Sequence, residues 1–209
     1  MLLKYDLRET ARYLGYKHGA EPSEVICELI DEAYEELCEF ISPRYIFREY
    51  DFSRTDDGIT VDGIEFRSQK LLNHLKDSTS LILFSATLGH EVDDLIHKYS
   101  ADDIAMAAVV QAVSSSLVEN LCDIACEELK GQIKGEHRPR FSPGYGDLSI
   151  IQQKEFFSLL PVKEKLGVSL TESFMMTPTK TVTAFIGVKK NENSKNLYSI
   201  NPDFDKNCK

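Results

Sequence analysis

The residue pattern between positions 23 and 41 constrains this chain more than any other stretch. Val25, Ile26, Leu29, Ile30, Ala33, Tyr34, Leu37, Cys38 and Ile41 recur at helical spacing. Glu24, Glu28, Asp31, Glu32, Glu35, Glu36 and Glu39 fill the opposite side. A helix divided in this way has one face to bury and one to leave in water, so another layer must cover it. Pro22 and Ser23 open the helix and Pro43 ends it.

The rest of the chain supplies that layer. Residues 44 to 68 read as short strands with turns at Asp56-Asp57-Gly58 and Asp62-Gly63, where glycine permits positive φ. Phe47, Tyr50, Phe52, Ile59, Val61, Ile64 and Phe66 would face the interior. Residues 69 to 76 read as a helix, and Leu81-Ile82-Leu83-Phe84 as a buried strand because its apolar run is continuous. A helix over about 90 to 98 follows. Then comes a long one over roughly 101 to 130, carried by Ile104, Ala108, Ala112, Leu117, Leu121 and Ile124 and closed by Lys130-Gly131. The alternating run Thr181 to Val188 is a strand, and Leu197-Tyr198-Ser199-Ile200 a last one. The pattern describes one α+β domain over residues 1–209. Its parts are a helical and hairpin portion (about 1–68), a core (about 69–200) and a polar tail (201–209).

A net charge of −10 argues against a general nucleic-acid binder, because phosphate backbones reward clustered Lys and Arg. Much of that charge lies on the 23–41 helix, where it is either a solvated face or a surface that steers a basic partner. No apolar run reaches the length of a membrane span. Lys4, Asp6, Arg8 and Glu9 interrupt the N-terminus before a signal peptide could form, so a cytoplasmic location away from membranes is expected. The five cysteines fit a reducing compartment. Cys27 and Cys38 fall among core positions. Cys122 and Cys126 sit four apart on a helix with no nearby His or further Cys to complete a metal set, so packing is expected of them, and Cys208 lies in the tail. No histidine pair has metal-ligand spacing.

The chemistry concentrates in Arg140-Phe141-Ser142-Pro143-Gly144-Tyr145-Gly146. Arginine offers a planar fork of donors for a carboxylate or phosphate. Pro143 stiffens the backbone, Gly144 and Gly146 allow a ligand close to the main chain, and Tyr145 adds a flat ring. The alternative is an ordinary loop whose arginine pairs with a surface acid. Ser149-Ile150-Ile151-Gln152 matches a capping box, which sets the loop before a helix N-terminus where amides and the dipole favour anions. Ser115, Glu119, Cys122 and Cys126 share one helix face. Small, weakly polar neighbours around an acid suit a pocket wall, though an acid at a helix edge has the same pattern.

After the R-x-x-P-G-Y loop come a Gln/Leu-rich helix, Leu170-Thr171-Glu172-Ser173-Phe174-Met175-Met176-Thr177-Pro178, and the strand bearing Tyr198. In that order these segments resemble the S-adenosylmethionine-binding activation domain of cobalamin-dependent methionine synthase. Arg12-Tyr13-Leu14-Gly15-Tyr16 and Ser85-Ala86-Thr87-Leu88-Gly89 are similar to its stand-alone forms. The resemblance implies a twisted antiparallel sheet flanked by helices. It assigns the methionyl carboxylate to Arg140, ligand contacts to Ser142, Gly144, Tyr145 and Tyr198, and the cationic end to Glu119. Leu197 departs from the family's tyrosine pair, and the N-terminal aspartate of the large-enzyme form has no counterpart.

The implied role is to bind S-adenosylmethionine and supply its methyl group for reductive reactivation of a cobalamin protein. The electron would come from a flavodoxin- or ferredoxin-type reductant. Because no D-x-H-x-x-G-like corrinoid loop appears, cobalamin would arrive on a partner, the methionine synthase module or another corrinoid protein. The glycine-rich turn of the usual methyltransferase fold is absent. Two other classes stay open: a non-catalytic adaptor or regulatory subunit docking on a corrinoid methyltransferase, and a complete methyltransferase for a small substrate. Nothing resembles a substrate site for the latter. Glu172 reads as a surface residue or a partner for Arg140, with a structural role favoured. Met175 and Met176 read as one core and one surface residue.

Overall fold

The computed structural model describes residues 3–190 and the backbone of 198–201. Its first half runs α1 (Leu7–Tyr13), α2 (Glu24–Phe40), β1 (Arg44–Tyr50), β2 (Ser53–Arg54), β3 (Gly58–Val61), β4 (Ile64–Arg67), α3 (Gln69–His74) and β5 (Ser80–Thr87). Next come α4 (Glu91–Asp102), α5 (Ile104–Gln132) and β6 (Glu136–His137). A 3-10 turn over Ile150–Gln152 leads into α6 (Gln153–Leu159), followed by α7 (Val162–Leu166), β7 (Ser169–Leu170), β8 (Met176–Thr177), β9 (Thr181–Lys189) and β10 (Tyr198–Asn201).

Five strands form one sheet in the order β10-β1-β5-β9-β6, every pair antiparallel. Period-two alternation divides its side chains between two cores. Tyr45, Phe47, Ile82, Phe84, Ala86, Ala184, Ile186 and Val188 meet the helical layer of α2, α4 and α5. Ile46, Tyr50, Leu81, Leu83 and Phe185 point the other way, onto the β2-β3-β4 sheet, α3, α6 and α7. β5 is therefore buried along its whole length, which explains the unbroken apolar run in its sequence. The sheet flanked by helices expected from the sequence is present, and the acidic side of α2 lies outward.

Several local expectations change. Val25 is exposed on α2, and Ile104 and Ala108 do not carry α5; Met106, Val109, Val110 and Val113 do, with Ala112, Leu117 and Leu121 buried as expected. The helix starts only at Ile104, because the Asp103 side chain accepts from the Met106 amide and breaks the chain from α4. It then runs through Gly131, so that glycine is not its cap. Gly58 has no positive φ; a Cβ there would lie 2.0 Å from the Phe66 carbonyl oxygen, so closeness of strands selects it. The Asp62-Gly63 turn has φ of 49° and 81°, as a tight hairpin requires. Cys27 and Cys38 are only half-buried. By length and composition α5 could cross a membrane, but 61% of its most apolar window is buried within the protein.

The hairpin of β7 and β8 turns through Thr171 to Phe174, the latter with φ of 63°. Glu172 is exposed on that turn and Arg140 pairs elsewhere, so of its two expected places the surface one holds. Met175 is exposed while Met176 packs on the second core. Beyond the hairpin, Lys180 is 94% buried, at 6% exposure, and reaches α5. Its Nζ donates to the Gln111 carbonyl at 3.1 Å and to Ser115 Oγ at 2.8 Å.

Candidate functional site

Arg140 owes its direction to the edge of the sheet. β6 pairs with β9 only through Glu136 and His137. Arg138 then donates from its amide to Gly187 (2.8 Å), and Phe141 exchanges backbone bonds with Phe185 at 3.0 and 2.8 Å. Between these anchors the edge segment contains one residue more than β9, which makes a bulge. Phe141 enters the second core, and Arg140 swings to α5.

There the guanidinium bridges two carboxylates. Nη2 donates to Glu119 Oε2 at 2.7 Å and Nη1 to Asp123 Oδ1 at 2.8 Å. Nη1 also lies 3.8 Å from Cys126 Sγ. Glu119, Asp123 and Cys126 stand on successive turns of one helix stripe, and the cation relieves repulsion between two acids four residues apart. The Arg140 side chain is 22% exposed, Glu119 45% and Asp123 70%. Burial works against the arginine's charge, but the electrostatic pull of the Cys122 sulfur and the hydrogen bonds to Asp123 and Cys126 outweigh it and raise its pKa. Burial raises the Cys122 and Cys126 thiols above their usual range, although Arg140 pulls both down. Both sulfurs therefore stay protonated near neutral pH.

An open cleft of about 620 Å³ adjoins this cluster, lined among others by Asp123, Cys126, Lys130, Arg138, Arg140 and Ile186. Glu119 lies outside the lining. The other charges of the wall are paired already, Lys130 with Glu127 and Arg138 with Asp77 at 2.7 Å. Among the described residues, no group of three His, Cys, Asp or Glu is placed to hold a metal ion.

The loop after Arg140 closes on itself. Gly144 and Gly146 take φ of 88° and 64°, values that strain other residues. The Gly144 amide donates to Leu148, and those of Tyr145 and Leu148 close turns on Ser142 and Tyr145. Asp147 ties the loop to α3 by accepting from the Ser68 hydroxyl and from the Gln69 amide at 2.9 Å, and the Ser68 bond leads in lowering its pKa. Ser142 is half-buried, and Tyr145 is 70% exposed with its ring edge-on to Phe141. The loop's own amides and its arginine do not turn toward the following helix N-terminus. The amides of Gly144, Tyr145 and Leu148 are spent inside the loop, and Arg140 turns away to α5. Nor does the capping box close: Ser149 accepts from Ile151, but Gln152 bonds the backbone of Arg67 instead.

Residues 73–203 match the family model described as "Vitamin B12 dependent methionine synthase, activation domain". The chain belongs to that family. A solved structure titled "Crystal Structure of the MetH Reactivation Domain bound to AdoHcy" shares the fold, with a TM-score of 0.67 and 18% sequence identity. The match covers 91% of this chain and 76% of that one. No curated protein matches the sequence.

Of the residues singled out in this activation-domain chain, the fold joins Arg140 to Glu119 and sets Ser142, Gly144 and Tyr145 on the adjoining loop. Tyr198 stands apart. Its strand pairs with β1 at the opposite edge of the sheet, Arg48 facing Tyr198, four strand spacings of roughly 4.8 Å from β6. Its side chain, like Leu197 and Cys208, lies outside the described residues. Sequence reading missed Asp123, although its place four residues after Glu119 and three before Cys126 puts it on the same stripe.

Proposed function

We propose that this chain binds S-adenosylmethionine and supports reductive methylation of a cobalamin-dependent methionine synthase or a related corrinoid protein. The observation that carries this reading is the ion pair of Arg140 and Glu119, formed by two residues more than twenty positions apart in a chain of the activation-domain family. A ligand with a carboxylate and a nearby cation needs a fork of donors beside an acid. Arg140, Glu119 and Asp123 together carry one excess negative charge, which suits a carboxylate, an ammonium and a sulfonium with one excess positive charge. The donor set therefore fits the ligand. Tyr145 offers an exposed ring face for adenine, with Ser142 and Gly144 as neighbouring backbone. Tyr198, on the far edge, is left out of the proposed contacts.

When bound, the ligand supplies an activated methyl group. The chain's part is to hold the carboxylate at Arg140, to balance the cationic end with Glu119, and to present the methyl to a partner that completes the site. A cobalt nucleophile needs no general base, and positioning is the contribution. Cobalamin would come on the partner and the electron from a flavodoxin- or ferredoxin-type reductant.

Calorimetry should show direct binding of S-adenosylmethionine and S-adenosylhomocysteine. Cobalt methylation should require both a cobalamin-loaded partner and a reductant. Steady turnover with small thiols and no corrinoid would overturn this reading. The second reading, a docking subunit without ligand binding, draws on the fact that Arg140 already has two carboxylate partners. Absence of binding in the same titration would favour it.

A further inference from the structure

We infer that Asp123 is a place-holder on Arg140: an incoming ligand carboxylate takes Nη1 from it, while Glu119 keeps Nη2. This rests on the reading that the chain binds S-adenosylmethionine, and it adds a residue that sets the strength of that binding.

The two arms of Arg140 are not equivalent. Asp123, Cys126 and Arg140 all line the cleft, whereas Glu119 does not. The arm that a carboxylate arriving through the cleft meets is therefore the one bonded to Asp123 at 2.8 Å. The two acids also differ in what they lose. Asp123, at 70% exposure, returns to water almost without desolvation to recover, and exposed ion pairs are weak. Glu119, at 45%, is the more enclosed partner. Arg140 itself, mostly buried, needs a counter-charge at all times. Without a ligand Asp123 meets that need. With one, the exchange swaps one carboxylate for another, and the cluster never holds a bare cation. Cys126 Sγ, 3.8 Å from Nη1, reports on the exchange because a ligand carboxylate on that arm covers it.

Affinities of the full chain and of the Asp123→Asn and Asp123→Ala variants would be compared by calorimetry, with circular dichroism to verify folding. S-adenosylhomocysteine should bind both variants roughly two- to fivefold tighter, the range an exposed ion pair contributes. 5′-Methylthioadenosine, which has no carboxylate, should bind all three alike. In the parent chain S-adenosylhomocysteine should slow alkylation of Cys126 by N-ethylmaleimide, read by peptide mass spectrometry, and methylthioadenosine should not. Unchanged or weaker binding of S-adenosylhomocysteine to both variants, or unslowed alkylation, overturns the place-holder while leaving the proposed function standing. If S-adenosylhomocysteine binds neither parent nor variants, both ideas fall.

Discussion

Two cations reach the same long helix, and they are treated in opposite ways. Arg140 meets the C-terminal half of α5 at two carboxylates. Lys180 meets the N-terminal half at a carbonyl and a hydroxyl, and among the described residues no carboxylate lies within ion-pair reach of its Nζ. Burial pulls the Lys180 pKa down to about 8, and Asp93, which holds Thr179, only partly resists it. The arginine's pKa moves the other way. A buried charge with matched anions can be kept for binding, since an exchangeable partner is at hand. A buried charge on neutral oxygens is a cost to the fold.

The comparison can be tested most forcefully through pH. The folded pKa of Lys180 lies below that of the free side chain, about 8 against 10.5. Between those values the unfolded chain binds the extra proton, so stability should rise with pH through that window. The cost of holding the charge is fully present below pH 8. It amounts to about 3 kcal/mol if the whole shift is realised. Denaturant unfolding from pH 7.5 to 10.5 should show that rise, and Lys180→Met should flatten it. A parent chain whose stability is level across the window would remove the contrast.

A somewhat smaller effect is expected at the arginine. Arg140→Ala should weaken S-adenosylmethionine by about 1.5–3 kcal/mol, the range for hydrogen bonds to charged groups. Arg140→Lys should restore only part, because an ammonium cannot form the fork. Titrations in which both variants match the parent would reduce Arg140 to a loop residue. Glu119→Gln sharpens the picture further, at about 1 kcal/mol. A carboxylate near the sulfonium predicts a greater loss for S-adenosylmethionine than for S-adenosylhomocysteine. One near the ammonium predicts equal losses, and no change for either ligand takes Glu119 out of the site. The smallest effect belongs to Ser115→Ala, which deprives Lys180 of an acceptor. It should destabilise by about 0.5–1.5 kcal/mol near neutral pH and by less above pH 9, where the lysine is neutral.

Much of this was legible in the residues. Alternation located β9, an unbroken apolar run located β5, and helical spacing located α2 and α5, because burial leaves its period in the sequence. Arg140 and Glu119 could be paired only through the family resemblance, since nothing local links residues so far apart. Asp123 was reachable from helix geometry and was passed over because an exposed acid on a helix edge has no distinguishing neighbours. Lys180 was beyond reach. Its burial follows from its place just before β9, which packs beside α5, a tertiary outcome with no periodic trace. The cap at Asp103 is a local signal that was passed over in favour of the longer helical spacing. The passage of α5 through Gly131 has a tertiary reason, since packing against the rest of the fold sustains a helix beyond what propensity alone would.

The bulge before Phe141 has one more consequence, for the solubility of the sheet. An edge strand with a flat row of open amides and carbonyls invites another chain to add on and seed fibres. Here the ordered edge spans only Glu136–His137, and it then kinks through Arg138, Pro139 and Arg140. Proline has no amide to donate, the two arginines carry charge, and the extra residue breaks the register that an added strand would follow. The segment that delivers Arg140 to α5 thereby also protects this margin of the molecule from self-association.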